Sequence, residues 1–185
     1  MKQLIIVLGL VLLLAAPLVL AQEGPKLGVG AWAGMSIPVI QDDQESGMVF
    51  GFMGRFKVLP FLVLEPGMSF TKWGAPDAIE GITWDINGSK LTSIGINATL
   101  GGAPGVPGVK PFFVAGVASY KVKNDDTKYD ESNLGWNAGL GIGYGISPAF
   151  DLDIRGLVVV APQDNGSKKA LSITGGLNFN FGAGQ

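Results

Sequence analysis

The chain has 185 residues and contains neither cysteine nor histidine. Without cysteine there is no disulfide framework and no thiolate metal site. Without histidine the commonest general base and the commonest metal ligand are missing, and a Ser-His-Asp triad is impossible. Charge is scarce as well. Thirteen basic and 15 acidic residues leave a formal net charge of -2, and only 15% of the chain is charged. That balance offers no basic field for nucleic acid. Past residue 21 no apolar run reaches the ~18 residues a spanning helix needs. Hydrophobic residues nevertheless make up 47% of the chain. Apolar content without a spanning helix leaves two choices, a soluble all-β core or a membrane barrel.

The N-terminus reads as an export signal. Lys2 supplies a positive start and Leu4 to Leu14 an apolar stretch. Val19 and Ala21 put small residues at the positions a signal peptidase reads, which predicts cleavage between Ala21 and Gln22. The chain then divides into a signal peptide, 1–21, and one barrel domain, 22–185. Gln22-Glu23-Gly24-Pro25 breaks the apolar stretch and argues against an uncleaved anchor.

The remainder alternates with period two and shows almost no helical period. The clearest segment runs from Leu134 to Ile146. Trp136, Ala138, Leu140, Ile142, Tyr144 and Ile146 share one face, and Asn137, Gly139, Gly141, Gly143 and Gly145 share the other. The same pattern predicts strands near Lys26–Ile37, Met48–Val58, Phe61–Thr71, Leu91–Leu100, Phe150–Val160 and Ala170–Phe181. Lys110 to Val122 also reads as a strand, but both its faces are apolar or small, so its register stays open. At about 10 to 12 residues these strands match tilted membrane strands (about 9–11) better than ordinary ones (about 5–6). The predicted fold is all-β, an eight-stranded antiparallel up-and-down transmembrane barrel in which the last strand pairs with the first.

Three features put the apolar face outside. The polar face is rich in Gly, Ser, Asn and Thr, small enough to fill the narrow interior of an eight-stranded barrel. The links alternate in length: Leu59-Pro60, Gly101–Val109 and Ser147–Ala149 against Pro38–Gly47, Lys72–Lys90, Lys123–Asn133 and Ala161–Lys169. Short inner turns and longer outer loops are the membrane-barrel pattern. Aromatics also gather at strand ends. Phe56, Phe61, Phe112, Tyr144, Phe150, Phe179 and Phe181 form an expected inner girdle, and Phe50, Phe70, Trp73, Trp84 and Tyr120 an outer one.

Arg55, Lys57, Glu65, Asp151, Asp153 and Arg155 fall on predicted lumen faces. A charge in a narrow barrel has to be paired or hydrated. This set reads as a salt-bridge network that plugs the lumen, with a polar path for small solutes as the alternative. No catalytic, cofactor or metal site is expected. The acids Asp125, Asp126, Asp130 and Glu131 lack the ordered spacing of a Ca²⁺ loop. The alternating glycines 139 to 145 precede no helix and are not a phosphate cradle.

Three stretches carry a family resemblance: Lys110-Pro111-Phe112-Phe113-Val114-Ala115-Gly116-Val117, Gly135 to Tyr144, and Leu177-Asn178-Phe179-Asn180-Phe181. With them the chain resembles the small outer-membrane β-barrels, the OmpA-like and porin-like barrel domains. The resemblance implies an outer-membrane location, contact with outer-membrane lipid, and recognition of a terminal aromatic by the barrel-assembly machinery. Here Gly182-Ala183-Gly184-Gln185 follows Phe181, a departure from that ending. The function expected is a structural or surface-interaction role without catalysis, with loops open to a surface ligand or host partner. A narrow porin for small solutes and a soluble, periplasmic, lipocalin-like binder with the faces reversed are the alternatives.

Overall fold

The computed structural model describes residues 26–39, 44–75, 88–102, 104–126, 128–164 and 166–181. The proposed signal segment, Asp42, Asp43, Trp84, the Asn165 turn position and the 182–185 tail lie outside them. Eight strands follow in order: β1 (Leu27–Pro38), β2 (Gly47–Leu59), β3 (Leu62–Lys72), β4 (Lys90–Gly101), β5 (Gly108–Asn124), β6 (Tyr129–Gly145), β7 (Phe150–Gln163) and β8 (Gly166–Phe181). Each pairs antiparallel with the next, and β8 closes on β1 from Leu27 opposite Phe181 to Pro38 opposite Ala170. Among the described residues no helix is long and apolar enough to cross a membrane.

The strands form because their side chains alternate between two solvents. Val29, Phe52, Ile94, Leu140, Ile154 and Leu177 stand exposed on the outer wall, while Arg55, Glu65, Thr99, Asn137, Asp153, Arg155 and Asn178 are buried inside. An outer wall of this kind belongs in hydrocarbon, where closure of the sheet leaves no open strand edge. It removes the soluble, lipocalin-like alternative, because a soluble barrel would carry these two sets the other way round.

β5 takes one register throughout. Phe112, Val114, Ala118, Tyr120 and Val122 turn inward, and Phe113 and Val117 turn outward. Two of the expected loops are replaced by strand. The β5–β6 ladder runs on to Asn124 opposite Tyr129, and the β7–β8 ladder to Gln163 opposite Gly166. The strands there stop at Asn124 and Gln163 and resume at Tyr129 and Gly166. The alternation was hidden because these extensions are polar outside, so they read as loop.

In these extensions the polarity of the barrel reverses. Trp73, Leu91, Ala118, Tyr120, Val122, Ala161 and Ala170 form an apolar cluster inside, while Lys72, Lys90, Lys121, Lys123, Asp130 and Lys169 are exposed outside. Past that level the barrel is organised as a water-soluble one, so the reversal marks the edge of the hydrocarbon.

The outward apolar stretch of β6 runs from Leu134 to Tyr144, with Leu140 near its middle. Placing a lysine at Leu140 is expected to cost about 2–4 kcal/mol, and at Leu134, near the reversal, about 0–1 kcal/mol. Reversible unfolding of Leu140→Lys and Leu134→Lys in lipid vesicles measures both, and equal costs would move the membrane boundary.

Candidate functional site

The lumen is the place where charged side chains meet. Arg55 on β2 and Glu65 on β3 face each other where the β2–β3 ladder skips two positions, opposite Pro66, which has no N–H to give. Glu65 is 1% exposed. It accepts from Arg55 Nε at 3.2 Å, from Arg155 Nη1 at 2.6 Å and Nη2 at 3.1 Å, and from the Thr99 hydroxyl at 3.0 Å. Arg155 thus meets Glu65 with the two-pronged geometry that makes such pairs strong. It also donates to both carboxylate oxygens of Asp153 at 3.0 Å, and its guanidinium lies 5.3 Å from the centre of the Phe112 ring.

Two asparagines on β8 complete the set. Asn178 donates to Asp153 and Asn180 to Asp151, each at 2.7 Å. Asp151 also accepts from Arg55 Nη1 at 3.4 Å and from the backbone N–H of Gly105 at 3.0 Å, and Lys110 Nζ lies 3.7 Å from its second oxygen. Lys57 stands half-buried within electrostatic reach of Lys110. β1 makes room for the asparagines with glycine. A Cβ at Gly28 would sit 2.9 Å from Asn180 Oδ1.

Of the charges expected in the lumen, Arg55, Glu65, Asp151, Asp153 and Arg155 are joined in this network, and Lys57 stands at its edge. Sequence reasoning missed Lys110, Thr99, Asn178, Asn180 and Gly105. Asn178 and Asn180 were placed on the polar face, but their neutral amides gave no reason to assign them to the charges. Lys110 was hidden by the open register of its strand.

A second seal lies above the first. Trp73, just past β3, is 1% exposed and its indole N–H donates to the Ser36 hydroxyl at 3.1 Å. Trp73 is thus no girdle residue. Thr71 points in and Lys72 out, so alternation carries Trp73 back inside. Phe112 and Tyr120 also turn inward, where Tyr120 accepts from Asn137 Nδ2 at 3.3 Å. Between the two seals lies a cavity of about 80 Å³ lined by Trp32, Met53, Glu65, Tyr120, Asn137 and Arg155 among others. It has room for two or three waters at about 30 Å³ each.

The other expected girdle residues lie outward. Phe56, Phe61, Tyr144, Phe150, Phe179 and Phe181 are exposed on the wall at the end where β1 starts and β8 stops. Phe179 contacts both Phe150 and Phe181, each pair of ring centres 5.1 Å apart. Phe70 is half-buried and stacks on Phe50 at 5.3 Å, toward the opposite end.

At the β5–β6 tip the acids meet lysines. Asp125 lies 2.7 Å from Lys123 Nζ and 2.6 Å from Lys90 Nζ, and Asp130 lies 3.0 Å from Lys121 Nζ. Among the described residues no group of three or more acids is arranged to hold a metal.

A closed antiparallel barrel, apolar outside and charged within, is a transmembrane β-barrel. The chain belongs to the family described as outer membrane protein beta-barrel domain, whose model matches residues 6–181. Among solved structures, Neisserial surface protein A is 19% identical with a TM-score of 0.68, over 86% of this chain and 100% of that one. The N-terminal β-barrel domain of Pseudomonas aeruginosa OprF is 19% identical with a TM-score of 0.53, over 86% and 100%. Ail of Yersinia pestis, in complex with the heparin analogue sucrose octasulfate, is 15% identical with a TM-score of 0.50, over 85% and 100%. These likenesses are likenesses of fold. No curated protein matches the chain.

Removing Arg155 would leave buried Glu65 and Asp153 short of their main partner in a lumen with room for only a few waters. Arg155→Met is expected to cost about 3–5 kcal/mol, and Arg155→Met/Glu65→Met less than the two single changes summed. Chemical unfolding of the refolded barrels gives both values, and additive costs would show that the two residues act independently.

Asp125 is held well below the ordinary carboxylate value of 3.8, at about 2, first by the hydrogen bond from Lys123 and then by that from Lys90. Its folded value is depressed, so its contribution is present above 3.8 and is lost as pH falls through about 2. The carboxyl titration followed by NMR should have its midpoint near 2 in the wild type and move upward in Lys123→Gln.

Proposed function

We propose that this chain is a closed-lumen barrel of the outer membrane with a structural or surface-interaction role and no catalysis. The carrying observation is the pair of stacked seals. The Arg55–Glu65–Arg155–Asp153 network fills one level of the lumen and the Trp73–Tyr120 layer fills the next, so a solute would have to pass both a salt-bridged plug and an apolar one.

On this reading residues 1–21 are a signal peptide removed at Ala21, and the barrel-assembly machinery inserts residues 22–185 into outer-membrane lipid. The end where β1 starts and β8 stops faces the periplasm. The β5–β6 and β7–β8 extensions then project outward from the cell, where their charged tips meet a surface ligand or host partner. The acyl-binding interior of a lipocalin has no counterpart at the level of Glu65 and Arg155, and no histidine supports the chemistry of a barrel enzyme.

Two measurements test this reading. In cell fractionation the protein is expected in the outer membrane, and on gels it should migrate differently before and after boiling. In planar lipid bilayers the refolded chain is expected to leave the baseline current unchanged. Reproducible ohmic steps would overturn the closed lumen and establish the narrow porin instead. Recovery in the soluble periplasmic fraction would overturn the membrane assignment.

A further inference from the structure

The outer wall of β3 to β6 carries a second arrangement, independent of whether the lumen conducts. Lys72 stands opposite Lys90, and Lys90 opposite Lys123, in one cross-strand row. Lys121 follows on the next outward position of β5, and all four are exposed. Like charges directly opposite on a sheet destabilise it, so the row is unfavourable unless anions offset it. Asp125 bridges Lys90 and Lys123, and Asp130 meets Lys121. Among the described residues, two carboxylates against four lysines leave a positive surplus of two. At the turn beyond, Asp126 and Lys128 are of opposite sign.

What lies beneath the row decides its ligand. One step toward the membrane, Lys121 is flanked by Thr92 on β4 and Ser132 on β6, and Ser119 Oγ lies 3.1 Å from Ser132 Oγ. Below these hydroxyls the wall turns apolar. Ala98, Ala115 and Ala138 are directly paired across β4, β5 and β6. Three small residues side by side hollow the surface. With Ile96, Val117 and Trp136 they form a trough of about 450 Å³ on the lipid-facing wall. Read from the reversal downward, the wall presents ammonium groups, then hydroxyls, then a shallow apolar channel.

We propose that this wall holds one phosphorylated, negatively charged lipid, its headgroup on Lys72, Lys90, Lys121 and Lys123 and an acyl chain along the alanine trough. A soluble polyanion would need only the lysines. The trough on the same outward face, separated from the lysines by the row Ile94, Ser119 and Leu134, and their position at the edge of the hydrocarbon rather than at the hairpin tip, select a membrane lipid. Lysine serves a phosphate as a point charge, and each lysine near an anionic surface adds to the attraction. Filling the trough keeps the contacts that an unfilled hollow in the wall forfeits.

Trp136 reports occupancy, since Trp32 and Trp73 lie inside the lumen and a Trp136→Phe variant subtracts their signal together with that of Trp84. The full barrel is folded into phosphatidylcholine vesicles doped with either brominated phosphatidylcholine or brominated phosphatidic acid. Quenching of Trp136 is expected to show on the order of tenfold preference for the acidic lipid, from the surplus positive charge. Changing Lys72, Lys90, Lys121 and Lys123 together to Gln should bring the preference to within about twofold. Ala115→Leu/Ala138→Leu should lower quenching by both lipids. The gel mobility shift on boiling confirms that each variant is folded, and the milder Lys90→Gln/Lys121→Gln pair should fall between wild type and the fourfold change. Equal quenching by the two lipids in the wild type would overturn the proposal, as would a preference that survives loss of the lysines. Binding of free sucrose octasulfate without any lipid preference would overturn it in favour of a soluble polyanion.

Discussion

Closure of β8 on β1 is the constraint from which the rest of the structure follows. A sheet in hydrocarbon cannot leave an edge, because each unpaired N–H or C=O there costs several kcal/mol. Twelve register positions join β1 to β8, from Leu27 opposite Phe181 to Pro38 opposite Ala170. Closing with eight strands leaves an interior only wide enough for side chains. Every inward residue then has to fit, and the glycines of β1 are placed where the asparagines of β8 reach across.

A lumen that narrow has little room for water, so its charges must neutralise one another. Glu65 is the junction, receiving Arg55, Arg155 and Thr99 at once. Such a network adds little net stability over well-packed apolar residues. Its value lies in register. Slipping a strand by one residue exchanges its two faces, and an interior of Val and Leu would make that exchange nearly free in a lipid-facing barrel. With Arg55, Glu65, Asp151, Asp153 and Arg155 inside, a slip puts charge into hydrocarbon at about 2–4 kcal/mol per basic residue near the midplane. The network specifies which face is in.

Strand positions and the outward apolar face were legible because period-two alternation is strong where apolar and small polar residues take turns, as from Trp136 to Tyr144. The charged lumen set was legible for the same reason. The alternation failed as a guide where polarity reverses. Lys123 and Asp130 fall in the expected loop Lys123–Asn133, although Tyr120 and Val122 beside them point inward. Trp73 misled in a related way. Its position near a strand end suggested a girdle, and only its parity relative to Thr71 and Lys72 puts it in the lumen. Hydrogen bonds from neutral residues such as Thr99 and Asn178 reach residues 34 and 25 positions away on the neighbouring strand and leave no local pattern.

The reversal also explains why the long hairpins stay ordered outside the membrane. An isolated two-stranded hairpin is marginal in water. Here β5–β6 and β7–β8 extend past the hydrocarbon as parts of one wall. Their inner faces share an apolar cluster that includes Trp73, Leu91, Tyr120, Val122, Ala161 and Ala170. Tyr129 of β6 ties the two extensions together through Gln163 of β7 at 2.9 Å. The same alternation thus serves two solvents along one strand. β5 buries Phe112 beside Arg155 at one level and Val122 in an apolar core at another, and its outer face changes from Val117 to Lys121 within four residues. Sliding the barrel along the membrane normal would drag those lysines into hydrocarbon or lift Val117 and Trp136 into water. The depth of insertion is therefore set by residues that make no contact with the lumen.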